Sequence, residues 1–253
     1  MSASDGGAAG GGEFAGRRAL ISGGASGIGA ATAALLREQG ARVVTLDLTA
    51  DGPDQVAADV RDERGVEAAV ARAAELLGGP PQLLVASAGV YPIKPLCEID
   101  AAEWDRVLGI NLRGAHLVGR AFARTLLEGE NGATASGAIV NVASLAATNA
   151  DASEPAGHYA ASKAGLLGLT RQQAAEWGPR LRVNAVSPGV IETPMLRITD
   201  DPATAAAYLR ERVPLRRLGT ACEVAHTIAF LLSDRAAYVT GAALPVDGGS
   251  SFS

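Results

Sequence analysis

The stretch Ala19-Leu20-Ile21-Ser22-Gly23-Gly24-Ala25-Ser26-Gly27-Ile28-Gly29 joins a short apolar run to a glycine-rich turn. A helical pattern follows from Ile28 to about Gln39 and stops at Gly40, where a glycine commonly ends a helix. The next run, Arg42-Val43-Val44-Thr45-Leu46, is short and rich in β-branched residues, and it ends at Asp47. Strand, glycine turn, helix and strand make the unit from which parallel sheets are wound.

Outward from this unit the two kinds of run keep alternating. Val56-Ala57-Ala58 precedes a helix over about Asp62 to Leu77, and Leu83-Leu84-Val85-Ala86 precedes a long helix from about Ala101 to Leu127. Ala138 to Val142 and Leu181 to Val186 read as strands on either side of a helix that contains Tyr159. Helices near Asp201 to Arg212 and Cys222 to Leu232 lead to a last strand near Ala243 to Val246. Seven short apolar strands separated by helices, without Asn-Gly hairpins, predict a doubly wound α/β fold with a seven-stranded parallel sheet and helices on both faces. Pro188 to Leu215 is the least regular segment and is long enough to lie over a site as a lid.

A chain of 253 residues supports one sizeable core. Met1 to Gly12 hold almost nothing to bury, so residues 1–14 are expected to be a disordered leader and residues 15–253 a single domain. Hydrophobic residues make up 48% and aromatic residues only 4%, which leaves the core to Ala, Val, Leu and Ile. The net charge is −5 and the arginines are scattered, so nucleic acid and anionic membranes are not expected partners. No apolar run approaches the ~18 residues of a membrane span, and a cytoplasmic protein is expected. Cys97 and Cys222 match no zinc or redox spacing and read as two buried thiols. No His/Cys/Asp/Glu cluster has ligand spacing, so no metal is expected.

Gly23, Gly27 and Gly29 are spaced G-x-x-x-G-x-G. A turn of this kind can bring backbone N–H groups and a helix N-terminus to a phosphate, or it can need glycine for backbone geometry alone. Asp47, at the end of the second strand, sits at the right remove to accept hydrogen bonds from an adenosine ribose and to repel a 2′-phosphate. Neither Ser26 nor Leu48 supplies a basic side chain for that phosphate. The sequence therefore predicts NAD over NADP, the plainer alternative being a surface acid that ends a strand.

His158-Tyr159-Ala160-Ala161-Ser162-Lys163 holds a tyrosine and a lysine four residues apart, on one face of a helix. A cation beside a phenol favours the phenolate, which lets tyrosine act as an acid or a base. Tyr159 as a core anchor and Lys163 as a snorkelling surface residue is the alternative.

In order and spacing, Ser22 to Gly29, Asp59-Val60, Ser87-Ala88-Gly89, Asn111, Ser144, Tyr159 with Lys163, Pro188-Gly189, Val239-Thr240-Gly241 and Asp247-Gly248-Gly249 resemble the classical short-chain dehydrogenase/reductase family. The resemblance runs from about Arg17 to Ser253 and implies a Rossmann-type fold. It implies Tyr159 as the acid/base, Ser144 on the substrate oxygen, Lys163 on the nicotinamide ribose and on the tyrosine's pKa, and Asn111 behind a relay water. For Asn111 the plain reading is a bridge between backbone groups in a helix kink. Through the same resemblance Asp59 and Val60 meet the adenine, Ala88 and Gly89 line the cofactor, and Val190 and Thr193 meet the carboxamide. Gly23, Ser26, Gly27, Ile28, Gly29, Asp47, Leu48, Pro188 and Gly189 complete the expected cofactor site.

Three departures stand out. Ala86-Ser87 replaces an asparagine pair, Ser144 and Tyr159 are 15 positions apart with a small polar bulge from Asn149 to Gly157, and Ser22 stands where threonine is more usual. The bulge is expected to shape the substrate entrance. Tyr91, Pro92, Leu145, Pro155, Met195 and Leu196 are candidate substrate contacts, mostly apolar, which suits a ring or acyl body. Of the histidines only His158 could touch substrate. Together these readings predict an NAD-dependent oxidoreductase that interconverts a secondary alcohol and a ketone. An NADPH-linked 3-oxoacyl thioester reductase and a catalytically idle NAD-binding regulator are the alternatives. The resemblance further implies a homotetramer.

Overall fold

In the computed structural model, which describes residues 12–128, 136–149, 155–196 and 202–252, the decisive stretch folds as read. Strand β1 (Arg18–Ser22) runs into helix α1 (Gly27–Glu38), and β2 (Arg42–Asp47) returns parallel to β1 with Ala19 opposite Val43. The chain continues through β3 (Gln55–Ala57), α2 (Glu63–Leu77), β4 (Leu83–Ala86) and α3 (Ala101–Leu108). It then forms α4 (Ala115–Leu127), β5 (Gly137–Val142), α5 (Gly157–Trp177), β6 (Leu181–Pro188) and β7 (Ile191–Glu192). Helix α6 (Pro202–Arg212), β8 (Gly219–Thr220), α7 (Ala221–Leu232) and β9 (Ala243–Val246) complete it. Seven strands form one all-parallel sheet in the order β3-β2-β1-β4-β5-β6-β9, and β7 pairs with β8 apart from it.

Central strands bury both faces, as Leu83, Leu84, Val85 and Ala86 of β4 show. Leu20, Val66, Val70, Leu84 and Phe122 form the core under α2 and α4, and Ile21, Leu36, Val85, Ile228 and Leu232 form the core under α1 and α7. Local chemistry sets the helix ends. The Asp62 carboxylate caps α2 by accepting from the Arg64 N–H, and Gly78 ends it with a φ of 74°. Helix α7 opens with a reciprocal Thr220–Glu223 capping box.

Two expected boundaries move. Phe14, placed in the leader, is 1% exposed in the α1/α7 core, and its N–H donates to the Gln39 carbonyl at 2.9 Å. Glu13 is ion-paired with Arg235. The fold therefore begins before residue 15, and one large aromatic outweighs the polar composition around it. The expected helix from Ala101 to Leu127 is instead α3 and α4 joined by a π-helical segment, Gly109–Gly114. Gly114 permits this close course, since a Cβ there would lie 2.7 Å from the Val60 side chain.

Ala86 stands where the family pattern expects asparagine, packed with Ala115, Ala143 and Leu166 and registered between Ser22 and Asn141. Apolar packing fills that point of the sheet. No helix among the described residues is long and apolar enough to cross a membrane.

Candidate active site

A cleft of about 850 Å³ opens at the carboxyl ends of β1, β4, β5 and β6, beside the point where strand order reverses between β1 and β4. Open α/β sheets bind ligands at such a crevice. The turn after β1 forms one end, the start of α5 the floor, and the segment after β6 with α6 the far side.

At the first end, backbone packing decides the shape. A Cβ on Gly23 (φ +72°) would lie 2.6 Å from the Ala88 nitrogen, and one on Gly29 would lie 2.0 Å from the Gly23 carbonyl oxygen. Both positions need glycine. Gly27 needs glycine for its backbone, with a φ of +54°, although a Cβ there would touch only Thr193, at 3.4 Å. Ser26 precedes α1 in extended conformation without a side-chain cap, and no acid occupies the first turn. The orphan N–H groups of a helix start therefore open on the cleft, a fit for a phosphate group.

Asp47 does two local jobs here. One carboxylate oxygen accepts from the Ala25 N–H at 3.0 Å and the other from the Leu48 N–H at 2.9 Å. Each oxygen keeps lone-pair capacity for a ribose hydroxyl. Asp59 and Val60 also line this end, with Arg61, which the sequence reading missed. The Arg61 guanidinium grips Asp59 at 2.6 to 3.0 Å and holds that carboxyl below its usual range.

The reactive cluster sits where the cleft meets α5. Tyr159 and Lys163 share one helix face, with the Lys163 Nζ 5.7 Å from the Tyr159 ring centre. Ser144, at the end of β5, hydrogen-bonds the Tyr159 phenol while its Oγ accepts from the Ala146 N–H at 3.2 Å. Burial pushes the phenol up and the Ser144 bond opposes it. This is the reverse of the lowering expected from the nearby lysine. The ring is deep in the cleft although part of the residue reaches the surface. Lys163 is 5% exposed, its ammonium donates to the Val142 carbonyl at 2.7 Å, and burial lowers its pKa to about 8. The Val142 bond uses one of its three N–H donors, and on the cleft wall the others fit a diol such as a ribose.

Asn111 lies behind the wall, 1% exposed. Its Oδ1 accepts from the Val90 N–H at 2.9 Å, and its Nδ2 donates to the Val90 carbonyl at 3.0 Å and to the Ser162 Oγ at 3.1 Å. Ser162 in turn donates to the Tyr159 carbonyl at 2.7 Å. Asn111 thus makes the backbone bridge that the kink reading anticipated, and it ties the loop after β4 to the reactive helix. Gly29 also lies behind the lining; the other expected cofactor residues, from Gly23 to Thr193, form the wall itself.

On the substrate side Tyr91, Leu145, Pro155, Met195 and Leu196 line the cleft. Pro92 does not; Pro95 and Leu96 take its place. The Tyr91 ring centre is 4.5 Å from that of Tyr159. Tyr208 and Arg212, both unforeseen, reach the cleft from α6, and their four-residue spacing was the signal available. The bulge and lid expectations fall partly on residues 150–154 and 197–201, outside the described residues.

His158 does not face the cleft. It is fully buried against α3, with Nε2 3.7 Å from a Glu103 carboxylate oxygen. Cys97 and Cys222 are exposed, not buried, because each falls in the first turn of a short or surface helix. Among the described residues no group of three His, Cys, Asp or Glu could hold a metal.

Comparison with known proteins supplies the family. A family model described as enoyl-(acyl carrier protein) reductase matches residues 23–251. The chain is 44% identical over 252 residues to cis-4-hydroxycyclohexanecarboxylate dehydrogenase of Sinomonas cyclohexanicum, covering 93% of this chain and 97% of that one. It is 39% identical to D-threitol dehydrogenase of Mycolicibacterium smegmatis, with 92% of each chain covered. The crystal structure of levodione reductase superposes with a TM-score of 0.85 at 35% identity, covering 95% of this chain and 99% of that one. The fold, the glycine turn and these relatives agree: the chain belongs to the classical short-chain dehydrogenase/reductase family.

Proposed function

We propose that this chain is an NAD-dependent oxidoreductase that interconverts a secondary alcohol and a ketone. The observation that carries the reading is the Ser144–Tyr159–Lys163 cluster, which faces the same cleft as an uncapped helix start and the Asp47 carboxylate. Its relatives act on carbinol carbons by their names, but a hydroxycyclohexanecarboxylate and threitol share little else.

A bound nicotinamide supplies the hydride acceptor or donor. In reduction Ser144 and the Tyr159 hydroxyl donate to the carbonyl oxygen, which stabilises the growing alkoxide, and Tyr159 then gives up its proton to it. In oxidation the phenolate takes the hydroxyl proton as the C–H pair leaves as hydride. Lys163 holds the ribose and steadies the phenolate once its ammonium faces that oxygen. Asn111 keeps Tyr159 and the loop after β4 in register and supports the relay of the proton to solvent. We include in the proposal a homotetramer built through the long helices and the β9 edge.

The test is NAD⁺- and NADP⁺-linked oxidation of cyclic, acyl and sugar alcohols, with Tyr159→Phe as control. NAD⁺-dependent turnover that falls by about 10² to 10⁴ in the variant is expected, the scale that acid/base transfer contributes to rate. NADPH-linked reduction of 3-oxoacyl thioesters in place of this turnover would move the assignment to that reductase. Tight NADH binding without turnover of any alcohol or matching ketone would make the chain a binding protein.

A further inference from the structure

Tyr159 lies in the first turn of α5, and that turn starts without the usual device. Helices α2, α3 and α7 open on the capping side chains of Asp62, Asp100 and Thr220. The N-cap of α5 is Ala156, which has no side-chain acceptor, and no acid stands in its first turn. Packing from outside holds the turn instead. The Lys94 N–H donates to the Pro155 carbonyl at 2.7 Å just ahead of it, and a Cβ on Gly157 would meet the Leu96 side chain at 2.2 Å.

His158, next to Tyr159 in the chain, is fully buried where α3 packs on α5. Neither of its ring nitrogens has a hydrogen-bond partner among the described residues. An apolar side chain could fill that space without leaving polar atoms unbonded, so packing alone gives no reason for histidine here. What faces it is a fixed charge: Nε2 lies 3.7 Å from a Glu103 carboxylate oxygen on α3, a contact longer than a hydrogen bond. Arg106 donates to the two oxygens of that carboxylate at 3.1 and 2.9 Å and holds the carboxyl below its usual range. A neutral imidazole with its proton on Nε2 directs a donor at this anchored carboxylate. We propose that His158 is a positioning residue: through Glu103 it ties the uncapped first turn of α5 to α3, and so holds the Tyr159 hydroxyl in its reacting place. This rests on the oxidoreductase reading above.

The experiment measures kcat, KM, NADH affinity and thermal unfolding, on whichever alcohol of the panel the wild type oxidises best, in four variants. His158→Leu and Glu103→Met keep the volume and remove one partner each, His158→Gln keeps an N–H donor, and the fourth combines the first two. A misplaced acid/base should lower kcat about 10-fold in His158→Leu and in Glu103→Met while KM and NADH affinity stay within about twofold. His158→Leu should unfold at no lower temperature than the wild type, since it buries no unbonded nitrogen. His158→Gln should recover most of kcat, and the combined variant should lose no more than one single variant does, as partners in one contact behave. Wild-type kcat in a folded His158→Leu, a loss that His158→Gln does not recover, or losses that multiply in the combined variant each overturn the positioning role and leave the oxidoreductase reading standing. If His158→Leu does not fold, Glu103→Met decides alone, and wild-type kcat there overturns the role. No Tyr159-dependent turnover of any alcohol or matching ketone overturns both.

Discussion

The two ends of the cleft are built by different means. At the cofactor end the wall is backbone, and its shape depends on positions where no Cβ fits, as at Gly23 and Gly29. At the substrate end the wall is side chain, with Met195 41% and Leu96 66% exposed. A backbone wall tolerates almost no substitution, whereas a wall of exposed apolar side chains can change and still fold. One end is therefore fixed by the family's shared chemistry, and the other is free to define a substrate.

The hardest test of this contrast is Gly29→Ala. Its Cβ would meet the Gly23 carbonyl oxygen at 2.0 Å and the Gly24 Cα at 3.2 Å, so the turn must open. A loss of about 3 kcal/mol or more in denaturant unfolding is expected, with NADH binding lost alongside. If the variant kept both stability and NADH affinity, the backbone wall would be far softer than the geometry implies.

The floor between the two ends answers to pH. Burial lowers Lys163 from 10.5 to about 8 in the folded chain. Below pH ~8 the lysine is charged in both states and folding bears the full cost of burying it. Between pH ~8 and ~10 the unfolded chain holds more protons, so stability should rise with pH, by about 2 to 3 kcal/mol at most. Tyr159 is raised above 10.0, so it takes no part until the pH exceeds that value, where it acts in the opposite sense. Unfolding free energies for the wild type minus Lys163→Met, measured across this window, should show the rise. A flat difference would mean that the ammonium is better solvated than its surroundings indicate.

Asp47 separates a turn brace from a cofactor contact. Asp47→Ala removes an acceptor from the Ala25 and Leu48 N–H groups and, on the proposed NAD reading, from the ribose. NADH affinity is expected to fall about 10- to 100-fold, the scale of charge-assisted hydrogen bonds, while NADPH affinity holds or improves. Equal losses for both cofactors in titration calorimetry would leave Asp47 as a brace only.

What the sequence made legible follows the same division. The parallel sheet could be read because β-branched runs such as Arg42–Leu46 alternate with helical periods, and the glycine turn because glycine spacing records backbone constraint directly. Tyr159, Lys163 and Ser144 were legible through their order along the chain. Phe14 was not, since one buried aromatic within a polar leader leaves no periodic signal. The break at Gly109–Gly114 was hidden because its flanking residues keep right-handed helical angles, so the apolar period barely shifts. The direction of the Tyr159 shift depends on how deeply the ring is buried and on where the lysine points, and neither is a property of sequence spacing. Tyr208 and Arg212 sit on a helix with little amphipathic pattern, so their four-residue spacing put them on one face without saying that this face lines a cleft.

Glycine content alone is not the signal, and α5 offers the finest test of that statement. Gly165 and Gly168 are three residues apart on this one helix, and composition cannot tell them apart. A Cβ on Gly165 would come within 2.8 Å of the Leu112 side chain, which packs against the helix from the π-helical segment. A Cβ on Gly168 would meet nothing within 4 Å, and its φ lies outside the left-handed region. Gly168→Ala should therefore stabilise the chain by about 0.5 to 1 kcal/mol, because alanine loses less backbone entropy in a helix interior. Gly165→Ala should give up that gain to the contact with Leu112, although the far end of a leucine can move and so keeps the loss small. Thermal unfolding of the two single variants distinguishes them, and a stabilising Gly165→Ala equal to Gly168→Ala would show that α5 is packed more loosely against the π-helical segment than the backbone wall at Gly23 and Gly29.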